Sequence, residues 1–206
     1  MTKAIIYDFD GTLANTRHVM MKIYPQVAEK HNFKVLPEEE LDMLKSRPFR
    51  ERLKRMGIPI SKLPVVIKET RELCGNHMEL CTPFEGIPEV LNVLKEKGFY
   101  QGIISSNKQE SIKSFLKTNQ IDFFQNIITT HGLFGKHTVI KKFLKQEGFE
   151  KEDIIYVGDE VRDIVGCKKA GVRVIAVTWG YDDISILKDE EPDYIVENPK
   201  EILSIF

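Results

Sequence analysis

The 206-residue sequence contains little cysteine, and its cysteines are not arranged as a redox or metal motif. Cys74, Cys81 and Cys167 are odd in number and form no C-x-x-C pair. If one helix ran from residue 61 to about Cys81, Cys74 and Cys81 would lie about 10 Å apart along it, beyond the reach of a disulfide. We therefore expect buried free thiols and a reducing compartment.

The chain also lacks a long apolar run and a charge excess of either sign. No run approaches the eighteen or so residues of a membrane span, and the first residues do not resemble the apolar region of a signal peptide. The formal net charge of -1 provides no basic surface for nucleic acid or for an anionic membrane. The sequence predicts a soluble, cytoplasmic protein without a nucleic-acid or membrane partner, and leaves its oligomeric state open.

Short apolar runs alternate with amphipathic helical patterns over most of the chain. The runs read AIIY, GIIS, NIIT, DIIYVG, VRVIAVTW and DYIV, and the clearest helical patterns span 87–98 and 136–148. Nearly continuous apolar strands between helices predict a parallel sheet covered on both faces. We expect an α/β fold with a Rossmann-like core, in which ligands bind at the carboxyl ends of the strands.

One segment, residues 16–81, interrupts this alternation. It contains no convincing strand, has several helical stretches, and ends at the proline- and glycine-containing sequence CTPFEGIP. We predict a small all-helical cap domain over 16–81, inserted into a core domain made of 1–15 and 82–206.

Two of the predicted strands are followed by paired carboxylates. Asp8 and Asp10 come after AIIY, and Asp159 and Asp163 come after DIIYVG. Carboxylates brought together at one sheet edge require a proton or a cation to offset their repulsion. Oxygen ligands without histidine or cysteine favour Mg²⁺, and the five histidines show no zinc-site spacing.

Groups suited to binding phosphate follow other strands. Ser105, Ser106 and Asn107 end the GIIS strand, and a turn over 131–135 presents Lys136 at the start of a helix. Hydrogen-bond donors, a lysine and a metal ion can together neutralise a transferring phosphoryl group, and an ionised aspartate can attack its phosphorus. Taken singly, each feature is more often a turn, a helix cap or a surface lysine; their coincidence at successive strand ends predicts a phosphoryl-transfer site.

In combination, these motifs resemble those of the haloacid dehalogenase-like hydrolase superfamily. The matching residues are DFDGT near the N-terminus, an apolar strand ending in serine, an isolated lysine, and GDEVRD. The resemblance is to members with a helical cap, such as phosphoglycolate phosphatases. It implies Mg²⁺-dependent hydrolysis of a small phosphorylated metabolite through an aspartyl-phosphate.

The resemblance also assigns roles to single residues. It implies that Asp8 is the nucleophile, that Asp10 is the general acid and base, and that Lys136 ties the phosphate to Asp8. A protonated Asp10 would suit the acid role. The implied metal ligands are Asp8, Asp10 through its backbone carbonyl, Asp159 and Asp163; the implied phosphate-binding residues are Gly11, Thr12, Ser105, Ser106, Asn107 and Lys136. We favour Ser105 over the adjacent Ser106 as the phosphoryl-binding side chain, and expect Thr12 to fix the loop.

Other activities of the same fold remain open alternatives. Asp10 argues against a dehalogenase, which has no leaving alkoxide to protonate. A β-phosphoglucomutase-like phosphotransferase would carry a histidine near Met20, where His18 is offset. A non-catalytic phospho-aspartate switch, as in bacterial receiver domains, would lack the large helical insert.

A basic stretch, LKSRPFRERLKR, lies within the helical segment. It is either a solvated helix face or a contact for an anionic part of the substrate. In the second case we expect Lys45, Arg47 or Arg50 to make that contact.

Overall fold

A computed structural model of the protein describes residues 2–130 and 135–206 and contains a six-stranded sheet in which every pair of neighbouring strands is parallel. The strands of the chain are β1 (Ala4–Tyr7), β2 (Ala14–Asn15), β3 (Thr82–Pro83), β4 (Tyr100–Ser105), β5 (Asn126–Thr129), β6 (Ile154–Gly158), β7 (Arg173–Val177) and β8 (Tyr194–Val196). The sheet order is β5-β4-β1-β6-β7-β8, and all six strands lie where the apolar runs predict them. The predicted α/β, Rossmann-like fold is confirmed.

Helices cover both faces of this sheet. They are α1 (Arg17–Lys30), α2 (Glu38–Met43), α3 (Phe49–Met56), α4 (Leu63–Gly75), α5 (Ile87–Glu96), α6 (Gln109–Thr118), α7 (Lys136–Glu147), α8 (Val161–Ala170) and α9 (Ile184–Asp189). Ile5 belongs to the hydrophobic cluster formed with α1, α5 and α6, whereas the adjacent Ile6 belongs to the cluster formed with α7 and α8. Successive strand residues point to opposite faces, so each face of β1 is buried.

The register of the central strands brings three loops to one edge. Tyr7 at the end of β1 pairs with Ile103 of β4 on one side and Val157 of β6 on the other. The loops that follow β1, β4 and β6 therefore leave the sheet side by side. This edge carries the paired carboxylates and the serines. The predicted turn before Lys136 includes residues 131–134, which lie outside the described residues.

Residues 16–81, all of them described, form helices and turns and contain no strand. The antiparallel pair of β2 and β3 joins the beginning and the end of this segment. Leu53, Ile58 and Leu63 form a separate small cluster within it. Val19 of α1, however, packs in the same cluster as the sheet, so the segment shares a core with the rest of the molecule. Its role as a cap domain stays a prediction.

The cysteines are buried and unpaired. Helix α4 ends at Gly75 and a 3-10 turn spans Met78–Leu80, so Cys81 lies beyond the helix that contains Cys74. A single helix over 61–80 is therefore wrong, but the prediction of free thiols is confirmed for all three cysteines. Across residues 2–130 and 135–206, no helix has the length and apolar character needed to cross a membrane.

Candidate active site

The loop after β1 holds the first pair of carboxylates. Asp8 is buried, its backbone N–H donates to the Val157 carbonyl (2.8 Å), and its Oδ1 accepts from the Phe9 N–H (2.7 Å). Phe9, which lies between the two aspartates in the sequence, packs into the hydrophobic core. Asp10 is partly exposed. Gly11 then adopts φ +78°, a left-handed conformation that glycine accepts without strain.

Lys136 links this loop to the first turn of α8. Its ammonium group donates to Asp8 Oδ2 (2.8 Å) and also to Asp163 Oδ1. All three side chains are buried. Burial lowers the pKa of Lys136, but Asp163 and Asp8 outweigh it and the net pKa is raised, which favours the charged lysine among these carboxylates.

Asp159 is held by the first loop and by the segment after β7. Thr12 Oγ1 donates to Asp159 Oδ1 (2.7 Å), and the Tyr181 N–H donates to Oδ2 (2.8 Å). A Cβ atom at Gly11 or at Gly180 would lie 2.2 Å from Asp159 Oδ2. Because neither residue has a side chain, there is room between them for the Asp159 carboxylate. The Thr12 hydroxyl thus connects the first loop to Asp159.

These carboxylates form a set that suits a hard divalent cation. Oxygen atoms of Asp8, Asp159 and Asp163 lie within 4.8 Å of one another, and all three residues are buried. Burial, together with Glu160, Asp163 and Asp8, raises the pKa of Asp159 well above its usual range. A carboxylate in this position is stabilised by a nearby cation, and an all-oxygen donor set fits Mg²⁺. The predicted ligands Asp8, Asp159 and Asp163 are thus together; Asp10 is outside this group of three side chains.

Asp10 lies beside Asn107 from the loop after β4. The Asn107 side-chain amide donates to both carboxylate oxygens of Asp10, at 3.1 and 3.2 Å. Burial, followed by the charge of Asp8, raises the pKa of Asp10 to about 6. The carboxyl therefore takes up a proton closer to neutral pH than an ordinary aspartate does, and its protonated form in catalysis stays a prediction.

The two adjacent serines have different surroundings. Ser105 is fully buried, and its Oγ accepts a hydrogen bond from the Asn107 N–H (3.0 Å). Ser106 lines a cavity that Asp10 and Asn107 also line. Ser105 thus fixes the loop, and Ser106 faces the space where a substrate could bind.

This cavity of about 370 Å³ lies between the helical segment and the sheet edge. Its arginine residues are Arg52, Arg71 and Arg162. Lys45, Arg47 and Arg50, the residues expected to contact the substrate, do not line it: Lys45 pairs with Asp42 (3.1 Å), and Arg47 and Arg50 are exposed.

Several residues at the site had no distinguishing signal in the sequence. Trp179 donates from Nε1 to the Thr12 carbonyl (3.1 Å), and the Tyr181 hydroxyl bonds to Thr16 Oγ1 (2.8 Å). Arg52 pairs with Asp182 at 2.5 Å, although 130 residues separate them. Only the three-dimensional structure brings these partners together.

The sequence matches a known protein family. A model of the haloacid dehalogenase-like hydrolases matches residues 5–177, which is most of the chain. The chain belongs to the haloacid dehalogenase-like hydrolase family. The resemblance recognised in the motifs DFDGT and GDEVRD, and the prediction of a hydrolase, are confirmed.

Two curated proteins align with this hydrolase over nearly its full length. The phosphoglycolate phosphatase of Synechococcus elongatus is 26% identical over 202 residues, covering 98% of this chain and 95% of that protein. The pyrophosphatase PpaX of Bacillus velezensis is 27% identical over 209 residues, covering 98% and 95%. A haloacid dehalogenase-like hydrolase from Streptococcus pneumoniae has the same fold, with a TM-score of 0.83, 22% identity, and coverage of 100% of this chain and 98% of that one.

Proposed function

We propose that this chain, a phosphatase of the haloacid dehalogenase-like family, hydrolyses a small phosphomonoester through an aspartyl-phosphate on Asp8, with Mg²⁺ as cofactor. The observation that supports this most is the buried cluster of Asp8, Asp159 and Asp163 with the Lys136 ammonium between two of its members. The names of the two curated relatives make phosphoglycolate, a phosphomonoester, the first candidate substrate and pyrophosphate, a phosphoanhydride whose leaving group is orthophosphate, the second.

In the first chemical step, a carboxylate oxygen of Asp8 attacks phosphorus and the ester P–O bond breaks. Asp10 gives its proton to the departing alkoxide oxygen. Lys136 neutralises charge on Asp8 and on the phosphoryl oxygens, in a buried site where such interactions are strong. The products of this step are an alcohol and the aspartyl-phosphate.

In the second step, Asp10 takes a proton from water, and the water oxygen attacks the phosphorus. The bond between phosphorus and Asp8 breaks, which releases orthophosphate and regenerates the carboxylate. Mg²⁺, when bound by Asp8, Asp159 and Asp163, would supply positive charge for the transferring phosphoryl oxygens. Asn107 orients Asp10 for both proton transfers through its two hydrogen bonds.

Chelation of divalent metal should abolish phosphate release, and added Mg²⁺ should restore it. Mg²⁺ should also raise the melting temperature of the resting protein, because a ligand that binds the folded state stabilises it. Asp159→Asn should lose most of that thermal shift, whereas Asp122→Asn, a change at an exposed aspartate, should keep it. Full turnover in excess chelator would contradict a metal-dependent reaction.

The serine pair offers a second test. Ser106 lines the cavity, so Ser106→Ala should lower kcat/KM by roughly 10-fold or more through lost phosphoryl binding. Ser105→Ala should mainly lower the melting temperature, because its hydroxyl supports the Asn107 backbone. Steady-state kinetics and thermal melts of both variants distinguish the roles, and a larger kinetic loss in Ser105→Ala at an unchanged melting temperature would return phosphoryl binding to Ser105.

A mutase and a phospho-aspartate switch remain the alternatives. His18 is exposed and its Nε2 hydrogen-bonds with the Leu80 carbonyl (2.8 Å), while Met20 lines the cavity beside Asp10. This arrangement favours hydrolysis over a histidine-assisted transfer. Multiple turnovers with release of orthophosphate would exclude a switch. A small phosphorylated metabolite and a cytoplasmic location fit this proposal and stay predictions.

A further inference from the structure

Arg71 lines the cavity, and two nitrogen atoms of its guanidinium group have no hydrogen-bond partner within the described residues. It lies on α4, and its Nε and Nη2 atoms are shielded from solvent. Neither atom has a hydrogen-bond partner among residues 2–130 and 135–206. Buried polar groups in folded proteins are nearly always hydrogen-bonded, so an unsatisfied guanidinium at a cavity wall calls for a functional explanation.

The other two arginines of the cavity already have carboxylate partners. Arg52 pairs with Asp182, and Arg162 pairs with Glu160. Arg71 has no ion pair within the described part of the chain. Burial, followed by the nearby charge of Arg162, lowers its pKa, and Asp10 opposes this effect. An anion bound beside Arg71 would therefore offset the electrostatic repulsion between Arg71 and Arg162.

The position of Arg71 connects it to the proposed chemistry. The same cavity is lined by Asp10, Ser106 and Asn107, which the proposed function assigns to proton transfer and phosphoryl binding. A phosphomonoester with its phosphoryl group at Asp8 would extend its remaining part into this cavity. The far end of a short substrate would then come near Arg71.

We propose that Arg71 determines substrate specificity by binding a second anionic group of the phosphomonoester, either a carboxylate or a phosphoryl group. This inference rests on the proposed function. A guanidinium group presents paired N–H donors in one plane and binds both kinds of anion with two parallel hydrogen bonds. The proposal assigns to Arg71 the contact that the sequence led us to expect from Lys45, Arg47 or Arg50.

A binding experiment tests the proposal without turnover. The probes are 3-phosphonopropionate, which has a phosphonate and a carboxylate, and propylphosphonate, which has the same chain length without the carboxylate. Isothermal titration in the presence of Mg²⁺ compares wild type with Arg71→Met. A matched control is Lys68→Met, which removes a charge from the exposed side of the same helix.

The expected result is selective loss of affinity. Arg71→Met should weaken 3-phosphonopropionate binding by about 30-fold or more and change propylphosphonate binding by less than about 2-fold. Arg71→Lys should restore part of the affinity, and Lys68→Met should leave both unchanged. Equal affinities of wild type and Arg71→Met for 3-phosphonopropionate would overturn the proposal.

Kinetics then distinguish the two kinds of second anion. If Arg71 binds a carboxylate, Arg71→Met should have a lower kcat/KM for phosphoglycolate, mainly through a higher KM. If Arg71 binds a phosphoryl group, the same change should appear with pyrophosphate. Hydrolysis of p-nitrophenyl phosphate, which has no second anion, should lose far less. A similar loss on all three substrates would overturn the specificity role.

Thermal stability separates this role from a structural one. Because Arg71 lacks a partner for two donors, Arg71→Met should not lower the melting temperature, whereas a structural arginine would. If wild type hydrolyses p-nitrophenyl phosphate but wild type and Arg71→Met bind each phosphonate equally well, the inference about Arg71 fails and the proposed function stands. If wild type hydrolyses no phosphate compound and binds neither phosphonate, the proposed function fails with it.

Discussion

Replacing Asp8 with asparagine should lower kcat for every phosphomonoester by about 10⁴-fold or more, because an amide oxygen cannot form the covalent aspartyl-phosphate. The loss should be similar for good and poor leaving groups, since the first covalent bond is absent in both cases. Phosphate release under saturating substrate and Mg²⁺ measures it. The variant should fold, because Lys136 keeps its contact with Asp163.

Two companion variants make this result specific. Asp8→Glu keeps the negative charge but places the carboxylate about one methylene further out, and it should be as inactive as Asp8→Asn. Asp122→Asn removes a carboxylate that pairs only at the surface with Lys95, and it should retain full activity. A rate for Asp8→Asn within about tenfold of wild type would remove Asp8 from the covalent role.

Replacing Asp10 with asparagine should have an effect that depends on the leaving group. General acid–base catalysis contributes about 10²- to 10⁴-fold, and alkyl phosphates should lose activity in this range because their alkoxide needs a proton. A p-nitrophenolate leaves without protonation, so the first step with p-nitrophenyl phosphate should remain fast. The second step still needs Asp10 to activate water.

Rapid mixing of this variant with p-nitrophenyl phosphate should therefore give a burst of nitrophenolate, stoichiometric with active sites, before slow turnover. Wild type provides the comparison, because its Asp10 activates water in the second step and the aspartyl-phosphate should not accumulate in the same way. Equal losses for alkyl and aryl phosphates without a burst would show that Asp10 does not act as the acid and base.

The sheet could be predicted because the burial of each strand leaves a direct mark on the sequence. In β1, Ala4 and Ile6 pack on one face while Ile5 and Tyr7 pack on the other, so every position must be apolar. Parallel strands then place the residues after them at one edge, and this rule locates the carboxylates. Helices such as α5 could be predicted from their apolar spacing and their glycine-containing ends.

The contacts between distant segments could not be predicted in this way. Apolar spacing in α1 shows that the helix has a buried face, but it does not show that Val19 packs against the sheet core. The basic stretch 44–55 draws attention to Lys45, Arg47 and Arg50, yet among its basic residues only Arg52 lines the cavity near Asp10. Arg71 has the sequence context of an ordinary helical arginine. The lack of partners for its Nε and Nη2 among the described residues depends on how α4 packs in the folded protein, where α1 is its main helical neighbour.

The most direct test of the central claim is the chemical identity of the intermediate. The Asp10→Asn variant, mixed with p-nitrophenyl phosphate and Mg²⁺ and quenched in acid, should carry one phosphoryl group on the peptide that contains Asp8, as measured by mass spectrometry. Hydroxylamine, which cleaves acyl phosphates, should remove it. Continued turnover with no phosphorylated peptide, or with the phosphoryl group on a residue other than Asp8, would contradict the mechanism proposed for this hydrolase.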